Sequence, residues 1–536
     1  MQILPLGTQD FGTIRENNYI YVDKTKHIHE MITNGRIYFL SRPRRFGKSL
    51  LLNTLKELFR GNKDLFEGLY IYDKWDWDVK YPVIHLDLSV ESRSSNELKD
   101  SLDDLLNRIA REFSVKLYSK TLKARFEDLI IEIHNKYNQK VVVLIDEYDN
   151  PIIDNIKNIE LAEDNREILH DFYRTLKTMD EHIQFIFLTG VSKFANVSIF
   201  SALNNPTDIT LDKKFTTICG YSQEELEEYF SEYISKLAEN LSFSYDEILE
   251  NIKQWYNGYS WDGENNVYNP QSTMTLFNTS EFDNYWFETG TPRFLIEFMK
   301  KYDVKPILEP VITHKKSLES FSIENIGEIG LLFQTGYLTV KDIIKQGLEK
   351  EYKIAIPNKE VKDSTLTHLL NIYTEYPDYD LFRLIKEMKK QLFNLDGIPL
   401  ENNFQKLLAN IPYHLHLQDE HYYHSLLLTW LQLLGFDILA EDNTNKGRID
   451  AVLTEKNTVI IAEFKYSKIK EIKDNEWIPV KTPEQLLKEA KNQIHKKEYY
   501  QKYHGNKIIL LQAAFAAKDI KTHLELLHLN ADFAKR

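Results

Sequence analysis

Three residues suited to phosphate binding, Gly47, Lys48 and Ser49, stand together near the start of the chain. An apolar run that ends at Leu40 precedes them, and a helix-like run through Phe59 follows. A strand, a loop and a helix with Gly-Lys-Ser at the turn form the layout of a phosphate-binding loop. Gly47 lets backbone N–H groups approach phosphate, Lys48 reaches the outer phosphates, and the Ser49 hydroxyl can bind Mg²⁺. The sequence therefore predicts a nucleotide-binding site.

The prediction of a nucleotide-binding site needs support from a second motif, because Arg42 stands where a phosphate-binding loop usually begins with glycine. Five apolar residues at 141–145, followed by Asp146 and Glu147, supply it. Such a run is typical of a strand buried on both faces of a parallel sheet, and ligands bind at the carboxyl ends of such strands. We expect Asp146 to hold Mg²⁺ and Glu147 to polarise the water that attacks the γ-phosphate. The alternative is a solvated turn.

Another buried strand is predicted at 183–188, with Thr189 at its carboxyl end. Strands that alternate with helices predict right-handed crossovers and a mostly parallel sheet. Thr189 would then lie beside the phosphate loop, where a polar side chain can sense the γ-phosphate. The alternative is a hydroxyl that caps the next turn.

The C-terminal part of the chain holds a second set of candidate catalytic residues. Asp450 stands near the start of a predicted strand, and Glu463 and Lys465 lie two residues apart on the next one, so both point to the same face. Glu420 shares the apolar face of a predicted helix with Tyr423, where an acid is costly unless it is paired or binds metal. Oxygen ligands of this kind favour Mg²⁺ or Mn²⁺ over zinc. The alternative is a cross-strand ion pair between Asp450 or Glu463 and Lys465.

Six motifs in the first 295 residues together resemble the AAA-ATPase-like family. They are Tyr-Val-Asp-Lys-Thr at 21–25, Arg-Pro-Arg-Arg-Phe-Gly-Lys-Ser at 42–49, Leu-Ile-Asp-Glu-Tyr-Asp at 144–149, Leu-Thr-Gly-Val-Ser-Lys-Phe at 188–194, Phe-Ser-Ala-Leu-Asn-Asn at 200–205 and Trp-Tyr-Asn-Gly-Tyr at 255–259. In this family the Arg-Pro-Arg-Arg-Phe-Gly-Lys-Ser loop replaces the glycine-first form, so the departure at Arg42 is a family trait.

The resemblance implies a set of positions that bind ATP and Mg²⁺. Arg293 lies in a segment that resembles the closing motif of the family and would sense nucleotide, against the alternative of a surface ion pair. Glu147 would be catalytic, and Ser49 and Asp146 would bind the metal. The nucleotide-binding residues are expected to be Arg42, Arg45, Phe46, Gly47, Lys48, Ser49, Leu50, Asp146, Thr189 and Arg293.

The C-terminal residues resemble the PD-(D/E)xK nuclease arrangement, and members of the AAA-ATPase-like family often carry such a domain. The resemblance implies that Asp450 and Glu463 hold Mg²⁺ and that Glu420 adds a carboxylate. Lys465 would orient or deprotonate the attacking water. Gln493 belongs to a later helix that would set a glutamine beside this lysine.

Composition limits the partners of the protein. Its 536 residues carry a formal net charge of -14, which argues against a generally basic nucleic-acid coat. Residues 441–536 nevertheless contain 18 Lys and Arg against 14 Asp and Glu. This local excess of positive charge is compatible with a nucleic-acid site, for which we expect DNA rather than RNA. The alternative is a solvated lysine-rich surface.

Other features concern location and assembly. The single cysteine, Cys219, cannot form an intrachain disulfide, and residues 1–6 do not form a signal peptide. The apolar run at 508–517 is too short to span a bilayer. We therefore expect a cytoplasmic protein without a membrane partner. A homo-oligomer is expected because neighbouring subunits often complete AAA-type sites.

The predicted fold class is α/β. Residues 1–295 would form a P-loop AAA-type parallel sheet with helices and a helical lid from about 220, residues 296–402 a helical linker, and residues 403–536 a PD-(D/E)xK restriction-endonuclease-like domain. The predicted function is an ATP-binding and ATP-hydrolysing protein coupled to a metal-dependent nucleic-acid phosphodiesterase. By analogy, this pairing of activities would suit a role in prokaryotic defence or mobile elements. The alternative is a nucleotide-gated binding or signalling module with an inactive nuclease-like domain.

Overall fold

The computed structural model contains two compact units, Met1–Lys362 and Asp363–Arg536. The described residues are 1–89, 94–155, 158–193, 203, 206–286, 310–319, 327–347, 349–365, 378–409, 431, 437–444, 447–455, 457–467, 469–473, 476–498, 500, 503, 507–516 and 519–527. Within this part of the chain, no helix is both long and apolar enough to cross a membrane.

The first unit is built around a five-stranded parallel sheet with strand order β2-β3-β4-β1-β5. Every residue of β3 is buried, as expected for a strand covered by helices on both faces. The predicted parallel α/β sheet is therefore confirmed. Its strands are β1 (Ile37–Ser41), β2 (Val83–Asp87), β3 (Val141–Asp146), β4 (Ile183–Gly190) and β5 (Thr207–Asp208).

Helices occupy most of the chain between and after these strands. Ser222 caps one of them through a reciprocal pair of hydrogen bonds with Glu225, which is a capping box. The helices are α1 (Phe11–Glu16), α2 (Thr25–Asn34), α3 (Lys48–Phe59), α4 (Ser95–Phe113), α5 (Leu122–Tyr137), α6 (Asn150–Ile153), α7 (Ile159–Thr178), α8 (Gln223–Leu241), α9 (Tyr245–Tyr256) and α10 (Pro270–Thr279).

The region predicted to be a helical linker contains a three-stranded antiparallel sheet, which corrects that prediction. Charged residues interrupt its two longer strands, so their alternation is weak in the sequence. In β8, only Tyr352 and Ile354 are buried among charged neighbours, the pattern of a strand with one solvated face. The elements are β6 (Val311–His314), α11 (Lys315–Glu319), α12 (Glu328–Gln334), β7 (Thr339–Gln346) and β8 (Glu349–Ala355).

The second unit contains a mixed five-stranded sheet with strand order β15-β14-β11-β10-β9, in which only β11 and β14 run parallel. Helices α13 and α14 pack on one face of it, and α15 packs on the other. The elements are α13 (Asp378–Asn394), α14 (Gly397–Ala409), β9 (Asp437–Thr444), β10 (Gly447–Glu455), β11 (Thr458–Ser467), β12 (Ile469–Lys473), β13 (Glu476–Pro479), α15 (Pro483–Lys497), β14 (Lys507–Ala516) and β15 (Asp519–Leu527).

Candidate functional site

The phosphate loop joins the carboxyl end of β1 to α3. Gly47 caps α3 in the left-handed region, with φ 91°, and a side chain there would be strained. Arg45 is exposed, also with positive φ. Phe46 is buried edge-on against Tyr259, with ring centroids 4.7 Å apart. The buried Phe46 anchors the loop, while its neighbours face outward.

Lys48 is held at the start of α3 although its side chain is almost fully buried. Its Nζ lies 3.4 Å from Glu147 Oε1 and donates a hydrogen bond of 3.4 Å to the carbonyl of Pro43. Ser49 follows in the first turn, half-buried. The predicted phosphate-binding lysine and the predicted catalytic glutamate are therefore direct neighbours.

Polar groups converge at the carboxyl ends of β3 and β4. The Thr189 hydroxyl donates to Asp146 Oδ1 over 2.6 Å, and the backbone N–H of Glu147 donates to the same oxygen over 3.0 Å. Glu147 has positive φ, which turns the chain sharply after the strand. The structure brings Thr189 onto the predicted Mg²⁺ ligand Asp146.

The side chain of Arg42 makes contacts that the sequence did not predict. Its guanidinium is fully buried and donates to the carbonyls of Ser41, Thr210 and Phe215 at 2.9–3.1 Å. It also lies 3.8 Å above the centroid of the Trp261 ring. Burial lowers the pKa of this guanidinium to about 10. Phosphate binding by Arg42 stays a prediction that these contacts do not favour, because both terminal nitrogens of the guanidinium already donate to backbone carbonyls.

A cleft opens beside the phosphate loop. The segment ahead of β1 forms one wall of the cleft, and residues 218–221 and 270–274 contribute others. Lys24 lines this cleft and donates to both carboxylate oxygens of Glu225 at 2.6 Å, so its positive charge is paired with a negative one. The lining also includes Tyr21, Val22, Arg45, Phe46, Gly47 and Leu50. Its apolar walls and position next to Gly47 suit a nucleoside.

In the second unit, Asp450 and Glu463 lie on adjacent strands. Asp450 Oδ2 accepts a 2.7 Å hydrogen bond from the backbone N–H of Phe464, and Glu463 Oε1 accepts one of 2.7 Å from Lys465 Nζ. Burial raises the pKa of Glu463 to about 7, with a further increase from the Asp450 charge and an opposing effect from Lys465. The ion pair between Glu463 and Lys465 therefore lies within β11 and does not cross between strands as the alternative supposed.

Comparisons with known proteins match a part of each unit to a known protein family. Residues 5–200 match a family described as predicted AAA-ATPase, and residues 418–524 match the PD-(D/E)XK nuclease superfamily. An uncharacterized protein in the vnfD 5′ region of Azotobacter chroococcum mcd 1 is 38% identical over 470 residues, which cover 86% of this chain and 89% of that protein. The chain belongs to the AAA-ATPase-like family. Its C-terminal domain is of the PD-(D/E)xK nuclease superfamily.

The nuclease-like domain offers oxygen donors for a divalent cation. Glu463 is fully buried, and its Oε2 has no hydrogen-bond partner among the described residues. Together with Asp450 this orphaned oxygen fits Mg²⁺ or Mn²⁺. The described part of the chain contains no group of three or more His, Cys, Asp or Glu side chains arranged for metal. Predicted residues Glu420 and Arg293 lie outside the described residues.

Gln493 lies on α15, the helix that covers the Glu463 face of the sheet. It is half-buried, and the next residue, Ile494, packs with Ile461 and Leu510 in one apolar cluster. The helix predicted to carry this glutamine is therefore present on the side of the sheet that bears Glu463.

Two residues near the AAA-ATPase-like and nuclease-like sites escaped the sequence analysis. Asp87 ends β2 in register with Asp146 and is exposed, so it adds a carboxylate at the same sheet edge. Gln512 lies in register with Glu463 on β14 and is fully buried. The sequence signal for Gln512 is a polar residue that interrupts the apolar run of β14.

Proposed function

We propose that this member of the AAA-ATPase-like family binds and hydrolyses ATP with Mg²⁺ and that its C-terminal domain cleaves nucleic-acid phosphodiesters with a divalent cation. The observation that carries the proposal is the meeting of Lys48 and Glu147 at 3.4 Å beside Asp146 and Thr189. These are the groups that phosphoryl transfer needs: a cation for phosphate, a carboxylate for water and a carboxylate for metal.

In the ATPase domain, phosphate would replace Glu147 as the partner of Lys48. The backbone of Gly47 would approach the phosphates, and Ser49 and Asp146 would hold Mg²⁺, which neutralises phosphate charge when bound. Release from Lys48 leaves the Glu147 carboxylate free to orient the attacking water. Arg45, Phe46 and Leu50 line the cleft where the nucleoside would lie.

In the nuclease-like domain, Asp450 and Glu463 would hold the divalent cation, with Glu420 as a further carboxylate. The cation, when bound, stabilises charge on the phosphodiester. Lys465 has its Nζ at the Glu463 carboxylate and keeps part of its surface exposed, so as an ammonium it can donate to the attacking water and orient it. Only as the neutral amine would it accept a proton from that water. Gln493 would assist this lysine.

A second candidate function is a nucleotide-gated binding module with a silent nuclease-like domain. The observation that favours it is the bonding already present around the two carboxylates. Asp450 accepts a backbone N–H, and Glu463 is paired with Lys465. Nucleic acid bound without cleavage would support this candidate.

The proposal also covers the location, assembly and substrate of the protein. We propose a cytoplasmic homo-oligomer in which Arg293 senses nucleotide, with DNA preferred over RNA as substrate. The lack of an intrachain disulfide supports the location, and the excess of Lys and Arg in residues 441–536 supports nucleic acid. A role in prokaryotic defence or mobile elements is the biological setting proposed.

ATP hydrolysis by the full-length chain tests the ATPase domain. Lys48→Ala removes the phosphate-binding cation and should lower kcat/KM for ATP by at least about 100-fold. Lys26→Ala is the matched control, because Lys26 is an exposed lysine on α2. Equal hydrolysis by Lys48→Ala and wild type would contradict the assignment, and no hydrolysis by wild type would contradict ATPase activity itself.

A further inference from the structure

A row of polar residues crosses the sheet of the nuclease-like domain. Glu463 and Gln512 are register partners on the parallel strands β11 and β14, and Gln512 and His523 are partners on β14 and β15. Register partners point to the same face of a sheet. That face is the one covered by α15, because Ile461 and Leu510, two residues earlier on each strand, pack with it.

Gln512 is an unusual residue for this position. Its side chain is fully buried, and neither its Nε2 nor its Oε1 has a hydrogen-bond partner among the described residues. Buried amides are nearly always satisfied, because an unmade hydrogen bond costs the full desolvation of the group. An apolar side chain of the same volume would avoid that cost, since the neighbours on this face, Leu510 and Ala514, are apolar.

The orphaned amide has an orphaned acceptor next to it. Glu463 Oε1 is held by Lys465, and Glu463 Oε2 is buried without a partner. Neighbouring strands lie about 4.8 Å apart, so a change of Gln512 side-chain torsions brings Nε2 within hydrogen-bond reach of this carboxylate. The two unmet requirements are therefore complementary: one group lacks an acceptor, and its neighbour lacks a donor.

We propose that Gln512 is a positioning residue of the metal site, whose Nε2–H donates to Glu463 Oε2 when a divalent cation binds. Lys465 then holds Oε1 and Gln512 holds Oε2, so the carboxylate is fixed from both sides. Each oxygen keeps a second lone pair for the cation. Hydrogen bonds that orient a ligating carboxylate typically change metal affinity by 10–100-fold. The inference rests on the proposed metal site of Asp450 and Glu463.

The test is a Mn²⁺ titration of the full-length chain followed by electron paramagnetic resonance, together with thermal unfolding without metal. Gln512→Met keeps the side-chain volume and removes both polar atoms. We expect its Mn²⁺ affinity to fall by about 10–100-fold. Its unfolding temperature without metal should rise, because the unsatisfied amide is gone. A residue with a merely structural role would not move these two quantities in opposite directions.

Two further variants complete the experiment. Leu510→Met changes packing on the same face of β14 and should leave Mn²⁺ affinity unchanged. Asp450→Ala should abolish binding at this site. If wild type and Asp450→Ala bind Mn²⁺ alike, the proposed metal site fails and the inference with it. If Asp450→Ala loses binding while Gln512→Met binds as wild type does, the inference alone is overturned.

Discussion

At the scale of single residues, two buried basic side chains of the AAA-ATPase-like unit differ in their partners, and only one of them is proposed to take part in the reaction. Lys48 is paired with a carboxylate that nucleotide phosphate can replace. Arg42 donates to three backbone carbonyls, which nucleotide cannot replace. Both residues are basic, buried and in the same loop, so only the partners of their side chains distinguish them.

Arg42→Met should therefore destabilise the protein without a direct effect on nucleotide. It removes the hydrogen bonds that Arg42 donates to three backbone carbonyls, and we expect a loss of about 2–4 kcal/mol in the free energy of unfolding. The ATP affinity of the folded protein should stay within a few-fold of wild type. Denaturant unfolding and equilibrium nucleotide binding measure the two quantities. A loss of affinity of 100-fold with unchanged stability would restore Arg42 as a phosphate ligand.

Glu360 makes the stability of the first unit depend on pH. It is fully buried, where it accepts hydrogen bonds from the backbone N–H of Trp286 at 2.8 Å and from the Ser272 hydroxyl at 3.0 Å. Burial raises its pKa from the ordinary 4.5 to about 8. The folded state thus binds the proton more tightly than the unfolded state, so stability falls as pH rises from about 4.5 to about 8.

Glu360→Gln should remove this pH dependence because the amide cannot ionise. Relative to wild type, the variant should gain up to about 3 kcal/mol in unfolding free energy between pH 5.5 and pH 8.5. Denaturant unfolding of both proteins at the two pH values measures the change. An equal difference between the proteins at both pH values would show that the Glu360 carboxyl does not titrate in this range.

At the scale of elements, the predicted strands were recoverable from sequence because buried parallel strands read as continuous apolar runs. The run at 141–145 and the two carboxylates after it correspond to β3 and its carboxyl end. The β6–β8 sheet was missed, since charged residues interrupt β7 and β8. Gln512 was missed for another reason: it visibly interrupts the apolar run of β14, but its pairing with Glu463 depends on the register between β11 and β14, which tertiary packing sets.

The contact between β4 and the start of α6 requires a residue without a side chain at 190. A Cβ on Gly190 would overlap the Asp149 carboxylate and the Tyr148 ring. Asp149 in turn accepts hydrogen bonds from the backbone and hydroxyl of Ser192 at 2.6 and 2.7 Å, so neither partner can move away freely. The strand that carries Thr189 is thereby fixed against β3.

Gly190→Ala should consequently cost about 2–4 kcal/mol of unfolding free energy, from overpacking and broken hydrogen bonds. Gly68→Ala is the matched control, because Gly68 has positive φ but open space around its Cβ position, and it should lose only about 1–2 kcal/mol. Denaturant unfolding compares them. A smaller loss for Gly190→Ala than for Gly68→Ala would contradict the close packing of β4 against Asp149.

At the scale of the whole molecule, the chain joins two units, and the reaction proposed for each of them breaks a bond to phosphorus. One would take a nucleotide at the carboxyl end of a parallel sheet, and the other a phosphodiester beside a buried Glu463 and its lysine. The excess of Lys and Arg in residues 441–536 of an otherwise acidic chain supports the proposal that nucleic acid binds to the second unit. The function proposed is control of the second reaction by the nucleotide state of the first unit.

Cleavage of plasmid DNA, single-stranded DNA and RNA by the full-length chain with Mg²⁺, with and without ATP, tests this function most directly. We predict DNA cleavage that depends on ATP, that Asp450→Ala lowers by at least about 100-fold and that Lys48→Ala uncouples from ATP. Lys26→Ala should behave as wild type. Cleavage that survives in Asp450→Ala, or no cleavage of any substrate by protein that binds ATP, would contradict the account.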